Sequence, residues 1–369
     1  MHSIRAIISG GGTGGHIFPA IAIANALKKI NPENEILFVG AKGRMEMEKV
    51  PAAGYRIEGL WISGFQRKLT LDNLSFPFKL ISSLYKAARI IKTFKPNVAV
   101  GVGGYASGPL LQQAASKNIP CLIQEQNSYP GITNKILASK VQRICVAYDG
   151  MDKYFDATKI VKYGNPVRDE MLAIAGKRND ALAFFKLNTS HKVILVVGGS
   201  LGARTINQSI EANLKNFADT QTQVIWQTGK AYYQTAVAAA KNFSNVVVVD
   251  FITRMDLAFA VADIIVSRAG ASTLSELAII GKPAILIPSP NVAEDHQTKN
   301  AQALVKHNAA ILVTDTACNS QLWPAINNVL QDDLLAEQLS KNISAMALHN
   351  AAHHIAIEVI ALAQKQKVQ

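Results

Sequence analysis

The chain has 369 residues, 49% hydrophobic and 17% charged, which excludes a disordered polymer and supplies enough apolar surface for more than one core. The 38 basic against 26 acidic residues leave a net charge of +12, which points to an anionic partner: a phosphate-bearing substrate, an anionic membrane surface or nucleic acid. The three cysteines, Cys121, Cys145 and Cys318, are scattered; they exclude a disulfide framework, offer no metal-ligand spacing and fit a reducing compartment.

The opening MHSIRAIISGGG lacks the long apolar region of a signal peptide, and no run approaches the roughly 18 apolar residues of a spanning helix. Ile4–Ser9 is a β-branched run, followed by a glycine turn and a helical apolar pattern over Ala20–Leu27. Gly10, Gly12 and Gly15 satisfy G-x-G-x-x-G between them. Such glycines let backbone approach a ligand, and the helix that follows presents unpaired N–H groups and a positive dipole end. A dinucleotide site also needs an acidic residue where the second strand ends. That strand, Glu35–Val39, ends in Val39-Gly40 with Glu35 at its wrong end, so NAD binding is not expected. His16 closes the turn at the helix start. It is either structural or, held neutral near a helix N-terminus, a base facing the ligand crevice.

The segment LSFPFKLISSLYKAARIIKTFK puts Phe78, Ile81, Leu84, Tyr85 and Ala88 at helical spacing, with Lys79, Lys86, Arg89, Lys92 and Lys95 interleaved. It is either an amphipathic helix on the core or an interfacial patch for anionic headgroups. The strand Asn97–Val102 leads into Gly103-Gly104-Tyr105-Ala106-Ser107-Gly108-Pro109, and Pro120–Ile123 is the next strand. Two glycine loops on one sheet edge could together grip a pyrophosphate.

Tyr163-Gly164-Asn165-Pro166 suits a domain boundary, giving domains over 1–165 and 166–349 and a terminal helix from about Asn350 that packs back on the first. The second half repeats the opening: strand Lys192–Val197, turn Gly198–Ala203, helix from about Arg204, then strands Val224–Gln227, Val246–Val249, Ile264–Val266 and Ala284–Ile287. The alternation predicts two doubly wound α/β domains with parallel sheets. Ser200 sits in the repeated turn. Ala269-Gly270-Ala271-Ser272-Thr273 precedes a helix carrying Glu276; Ser272 with Ser275 or Glu276 is either helix capping or a phosphate cradle with an acid for a ribose diol.

SGGGTGGHIFPA, GVGGYASGP, QEQNSYPGITNK, YGNPVR, VVGGSLGARTIN, SRAGASTLSELAIIGKPAILIP and EDHQTKNA occur in that order over nearly the whole chain. On these the sequence resembles the MurG family, bacterial family 28 glycosyltransferases. The resemblance implies the GT-B fold: two Rossmann-like domains facing a cleft. It implies inverting transfer of N-acetylglucosamine from UDP-N-acetylglucosamine to the 4-hydroxyl of undecaprenyl-pyrophosphoryl-MurNAc-pentapeptide. Carried onto this chain, the donor is held by Arg168, Ser200, Ile252 over the uracil, Ala271, Ser272, Thr273, Leu274, Ser275, Glu276 on the ribose and Gln297 on the sugar. Thr13, Gly14, Gly15 and Asn127 line the cleft. Gly12, Gly103, Gly104, Tyr105 and Ser107 receive the acceptor pyrophosphate, and His16 is the base. No cofactor is expected. No Asp-x-Asp pair occurs, Asp149 and Asp152 being one residue too far apart, so no metal is expected either. A lipid-linked acceptor implies a peripheral protein on the cytoplasmic side of the inner membrane, touching anionic lipid through Phe78, Ile81, Leu84, Tyr85, Lys86 and Arg89. Other cell-wall synthesis or division proteins are further candidate partners. The alternative is a UDP-N-acetylglucosamine 2-epimerase on the same double fold. A nucleic-acid binder is disfavoured by 7% aromatic content and dispersed basic residues.

Overall fold

The computed structural model describes residues 3–64, 75–167, 174–199, 202–292 and 295–365. The chain divides into two compact units, Met1–Arg168 with Leu348–Gln369, and Asp169–Ala347. Each is a parallel sheet of the Rossmann kind, as the alternation of strand and helix patterns predicts.

The first unit carries β1 (Arg5–Gly10), β2 (Glu35–Ala41), β3 (Arg56–Leu60), β4 (Val98–Gly103), β5 (Cys121–Glu125), β6 (Arg143–Val146) and β7 (Ile160–Lys162), in the spatial order β3-β2-β1-β4-β5-β6-β7. Its central strands are buried on both faces, which is why they read as continuous apolar runs rather than alternating ones. β3, β6 and β7 escape the sequence reading. β3 (RIEGL) carries two charges and buries only Gly59 and Leu60, β6 has four residues, and β7 is a three-residue edge strand with no fully buried position. Helices α1 (Gly14–Ile30), α2 (Glu46–Ala52), α3 (Phe76–Phe94), α4 (Ser107–Ser116) and α5 (Ile132–Leu137) cover this sheet. α1 begins six residues before the apolar pattern announces it, because Gly14 and Gly15 are poor helix formers that tertiary packing recruits.

The second unit carries β8 (Val193–Val197), β9 (Gln223–Gln227), β10 (Val246–Val249), β11 (Ile264–Ser267), β12 (Ala284–Leu286) and β13 (Ile311–Leu312), ordered β10-β9-β8-β11-β12-β13. This is the order of the first six strands of unit one. The two-residue β13 carries no sequence signal.

In both sheets the strand order reverses beside the first strand, between β1 and β4 and between β8 and β11. A crevice opens at the carboxyl ends of the strands at such a switch point, and ligands bind there. The glycine loops after β1 and β4, and after β8 and β11, all occupy that position.

The terminal helix, α8 (Ala351–Lys365), lies along α1: Ile355, Ala356, Val359, Ile360 and Ala363 share a core with Ile17, Ala20, Ile23, Ala24 and Leu27. Glu358 fixes it to the sheet, accepting from Arg143 Nε at 3.2 Å and from the Tyr163 hydroxyl at 2.9 Å. The second unit includes α6 (Ala271–Ile280), which follows β11, and α7 (His296–Val305), which follows β12.

Candidate active site

In the first unit both glycine loops close on His16. A Cβ on Gly103 would lie 2.6 Å from His16 Cδ2 and 2.8 Å from Nε2, and a Cβ on Gly104 would lie 2.4 Å from the Gly11 carbonyl oxygen. Gly103 and Gly104 also have φ of 107° and 88°, so both space and backbone conformation demand glycine. His16 Nδ1 is 3.0 Å from the Gly11 oxygen and 3.5 Å from Thr13 Oγ1. A carbonyl only accepts, so Nδ1 carries the hydrogen and Nε2 keeps its lone pair. Burial pushes the imidazole pKa below its ordinary value; the Glu125 carboxylate, the bond to Gly11 and the Glu46 carboxylate oppose the shift without cancelling it. The result is a neutral imidazole beside the switch point, the form a general base needs.

Two acids here are given no role by the sequence, although Glu125 falls within QEQNSYPGITNK. Glu125, 1% exposed at the end of β5, accepts from the Asn127 N–H and Nδ2, the Gly131 N–H and Asn134 Nδ2 at 2.8–3.1 Å. Beyond that motif the signal is an acid ending an apolar run. Asn127 is thereby bound to Glu125. Glu46, at the start of α2, accepts from the Gly12 N–H and the Ala41 N–H, each at 2.9 Å. It is the acid that β2 lacks at its end, but it serves the loop's own backbone instead of a ribose.

These contacts bear on two expectations. The Gly12 N–H is given to Glu46, so it is not a donor for a pyrophosphate. Ser107 is fully buried, and its hydroxyl is directed at the Ser9 and Gly103 carbonyls at 3.1 and 2.9 Å. It staples the second glycine loop to β1. Gly103 is buried beneath the imidazole, whereas Gly104, half-buried, and Tyr105, 50% exposed with its ring over Gly64, stand at the surface near the start of α4. Thr13 and Gly15 are exposed and Gly14 half-buried at the N-terminus of α1, where the His16 and Ile17 N–H groups are already donated to the Thr13 oxygen at 3.1 Å.

Arg168, at the end of the first unit's main segment, and Ser200 of the second unit lie outside the described residues. Gly202 is close-packed: a Cβ there would lie 2.1 Å from the Thr228 oxygen, and Gly199 lies nearby in sequence. Gln227, 3% exposed at the end of β9, ties Gly199 to the next loop. Its Nε2 donates to the Gly199 oxygen at 3.0 Å and its Oε1 accepts the Ile252 N–H at 3.2 Å. Ile252 itself is buried.

α6 follows β11. Its N-cap is Gly270 and no side chain caps it. Ser275 Oγ turns back to the Ala271 oxygen at 3.2 Å, and Ser272 Oγ is buried with no hydrogen-bond partner among the described residues. The capping interpretation of Ser272 therefore fails, which leaves a hydroxyl at a helix N-terminus, where anions bind. Thr273 is half-buried on the same turn, and Glu276 and Ala271 are buried. Leu274 is 1% exposed and its N–H is donated to the Gly270 oxygen at 2.9 Å, so its side chain anchors the turn in the core. Gln297, near the start of α7, accepts the Ser289 N–H on Oε1 at 2.8 Å, which points its Nε2 donors elsewhere.

On α3, Ser83, Ala87, Ile90 and Ile91 are buried, so one face packs on the core. The opposite face exposes Phe78 (70%), Ile81 (66%) and Tyr85 (75%), with Trp61 (51%) nearby beneath Lys79. Arg89 is exposed and Leu84 half-buried. Lys86 is tethered instead: its Nζ donates to the Gly59 oxygen at 2.8 Å and pairs with Glu58 at 3.4 Å. Among the described residues no helix is long and apolar enough to cross a membrane.

Two parallel-sheet units with glycine loops at both switch points are the architecture of GT-B glycosyltransferases, and the domain families assign the class. Residues 6–146 match the glycosyltransferase family 28 N-terminal domain and residues 193–355 the family 28 C-terminal domain. The chain belongs to glycosyltransferase family 28. It is 54% identical, over 99% of its own length and 100% of the relative's, to the UDP-N-acetylglucosamine–N-acetylmuramyl-(pentapeptide) pyrophosphoryl-undecaprenol N-acetylglucosamine transferase of Parabacteroides distasonis. The crystal structure of MurG from Acinetobacter baumannii is similar with a TM-score of 0.79 at 27% identity, covering 97% of this chain and 99% of that one. A UDP-GlcNAc 2-epimerase from Neisseria meningitidis is similar with a TM-score of 0.69 over 98% of this chain and 100% of that one, at 14% identity, a likeness of fold alone.

Proposed function

We propose that this enzyme transfers N-acetylglucosamine from UDP-N-acetylglucosamine to the 4-hydroxyl of the muramoyl sugar of undecaprenyl-pyrophosphoryl-MurNAc-pentapeptide, with inversion. The observation that carries the reading is the neutral His16 imidazole, its Nε2 lone pair at the switch point where two glycine loops meet. Full-length identity to a transferase of that name supports it, and the epimerase likeness does not extend past the fold.

In this reading the acceptor hydroxyl attacks the anomeric carbon from the face opposite the diphosphate, His16 Nε2 takes its proton, and UDP leaves. The second unit holds the donor. Ser272, Thr273 and the first-turn N–H groups of α6 meet the diphosphate as it gains charge, and Arg168 and Ser200 are assigned to the same donor by the resemblance. Glu276 takes the ribose diol, the backbone around Ile252 covers the uracil, and Gln297 Nε2 reads a sugar hydroxyl. The first unit holds the acceptor: Gly104, Tyr105, the α4 N-terminus, Thr13, Gly14 and Gly15 receive its pyrophosphate and sugar. Dipoles and N–H groups do the work of a divalent ion, so the chemistry needs no metal.

A lipid-linked acceptor calls for a membrane surface. Phe78, Ile81 and Tyr85 are the apolar contact, with Arg89 and neighbouring lysines toward anionic headgroups, which puts the enzyme peripherally on the cytoplasmic side of the inner membrane. The test is incubation with labelled UDP-N-acetylglucosamine and the lipid-linked acceptor, with and without chelator. Label passing into the lipid phase in both arms is expected. Absence of lipid-phase label, with epimerised UDP-sugar instead, would establish the alternative.

A further inference from the structure

We propose that Glu46 is a positioning residue for His16, acting through the one peptide unit that joins Gly11 to Gly12. The inference rests on the reading of His16 as the base. The Gly12 N–H at one end of that peptide donates to Glu46 Oε2 at 2.9 Å, and the Gly11 oxygen at its other end accepts His16 Nδ1–H at 3.0 Å. A peptide group is planar and its N–H and C=O point in opposite directions, so fixing one fixes the other. Carboxylate, peptide and imidazole form one hydrogen-bonded line.

The arrangement serves the purpose that a carboxylate serves when it binds a catalytic histidine directly: it holds the tautomer and the ring orientation, and it stabilises the imidazolium formed when Nε2 takes a proton. Here a peptide stands between. Bonds in such a chain polarise one another, so the charge on Glu46 makes the Gly11 oxygen a stronger acceptor.

The surroundings are built for this carboxylate. Glu46 is 1% exposed, and its Oε1 is held by the Ala41 N–H at 2.9 Å. A Cβ on Gly11 would lie 2.2 Å from Oε1 and one on Gly40 2.5 Å from Cγ, so both glycines make room for it. On the other side a Cβ on Gly104 would lie 2.4 Å from the Gly11 oxygen, so glycine there makes room for that carbonyl. Among the described residues the charged groups acting on His16 are Glu125, from the end of β5, and Glu46, from α2, and both favour the protonated ring.

The test uses the full-length enzyme. E46Q keeps the side-chain volume, removes the charge and sets an amide N–H₂ against a backbone donor. His16 is followed by ¹⁵N NMR of its ring, its signals assigned by their loss in H16N. In E46Q the Nδ1–H tautomer fraction is expected to fall and the titration midpoint to move to lower pH. The turnover number should drop about tenfold, the usual scale for losing an orienting partner behind a functional group, with KM for UDP-N-acetylglucosamine within twofold. A folded E46Q whose His16 tautomer and midpoint match the wild type overturns the proposal, whatever its rate, and leaves Glu46 a pin for the loop. If E46Q does not fold, E46D carries the test: charge retained and reach shortened predict a near-normal midpoint with a reduced Nδ1–H fraction, and an unchanged fraction overturns it. Failure of the base reading is distinct, because an H16A enzyme turning over normally would refute that reading without touching the NMR outcome.

Discussion

A single methyl group is enough to probe the candidate base. Alanine at Gly103 would need a φ of 107° and would put its Cβ 2.6 Å from the His16 ring. G103A should therefore lose most of its turnover while binding the donor as before. Replacing the ring itself, in H16A, is expected to cost 10²–10⁴-fold in the turnover number, the usual worth of a general base, with KM for UDP-N-acetylglucosamine within a few-fold. The pH dependence has a definite sign. Burial leads the shift and depresses the pKa of His16 in the folded enzyme. The neutral base is present above that pKa and is lost as pH falls through it, so the acidic limb of kcat/KM should have its midpoint below the free-imidazole value of about 6.5. A limb above that value, or one that survives in H16A, would remove the assignment. At this scale the sequence was informative where spacing carried the chemistry: Gly10, Gly12, Gly15 and His16 lie within one turn. It was silent on Glu46 and Glu125, which reach the same place from 30 and 109 residues further along the chain, and only the closing of the sheet brings them there.

At the scale of elements, the proposed donor site rests on the ends of β9 and α6. Gln227 binds the Gly199 carbonyl and the Ile252 N–H with one buried amide, so it joins the chain at Gly199 to the loop at Ile252. Q227L strands both groups, at about 1–3 kcal/mol each in stability, and should raise KM for UDP-N-acetylglucosamine more than it lowers the turnover number. The α6 N-terminus separates two roles that the sequence left equal. Ser272 caps nothing. S272A should accordingly weaken donor binding, measured by calorimetry, without lowering the melting temperature. A stability loss near the ~1 kcal/mol of a lost cap, with donor affinity intact, would restore the structural role. Strand patterns were legible as continuous apolar runs, buried in Val193–Val197 and half-buried on the sheet edge in Val246–Val249, and were not legible in Arg56–Leu60 or Ile160–Lys162, short edge strands that carry charged residues.

At the scale of the whole molecule the net charge of +12 asks where the anion is, and the structure divides the basic residues of α3 into two groups. Lys86 is engaged with Glu58 and the Gly59 carbonyl, and Lys79 donates to Ser63 Oγ at 3.2 Å, so both hold α3 to the domain. Arg89, Lys92 and Lys95 are exposed, as are Phe78, Ile81 and Tyr85. Sequence periodicity could not make this division, because all five basic residues fall at similar helical spacing. Binding to vesicles containing anionic lipid should fall as salt rises, since each basic residue near the surface contributes about 1 kcal/mol through a screened field. R89Q/K92Q should reproduce the effect of salt, and K86Q should change vesicle binding little while lowering thermal stability. Replacing Phe78, Ile81 and Tyr85 together by serine removes the apolar part and should weaken binding even at low salt. Vesicle binding that ignores salt would remove the electrostatic part of the proposal. Binding that survives the triple serine variant would show that the enzyme meets the membrane through some other face.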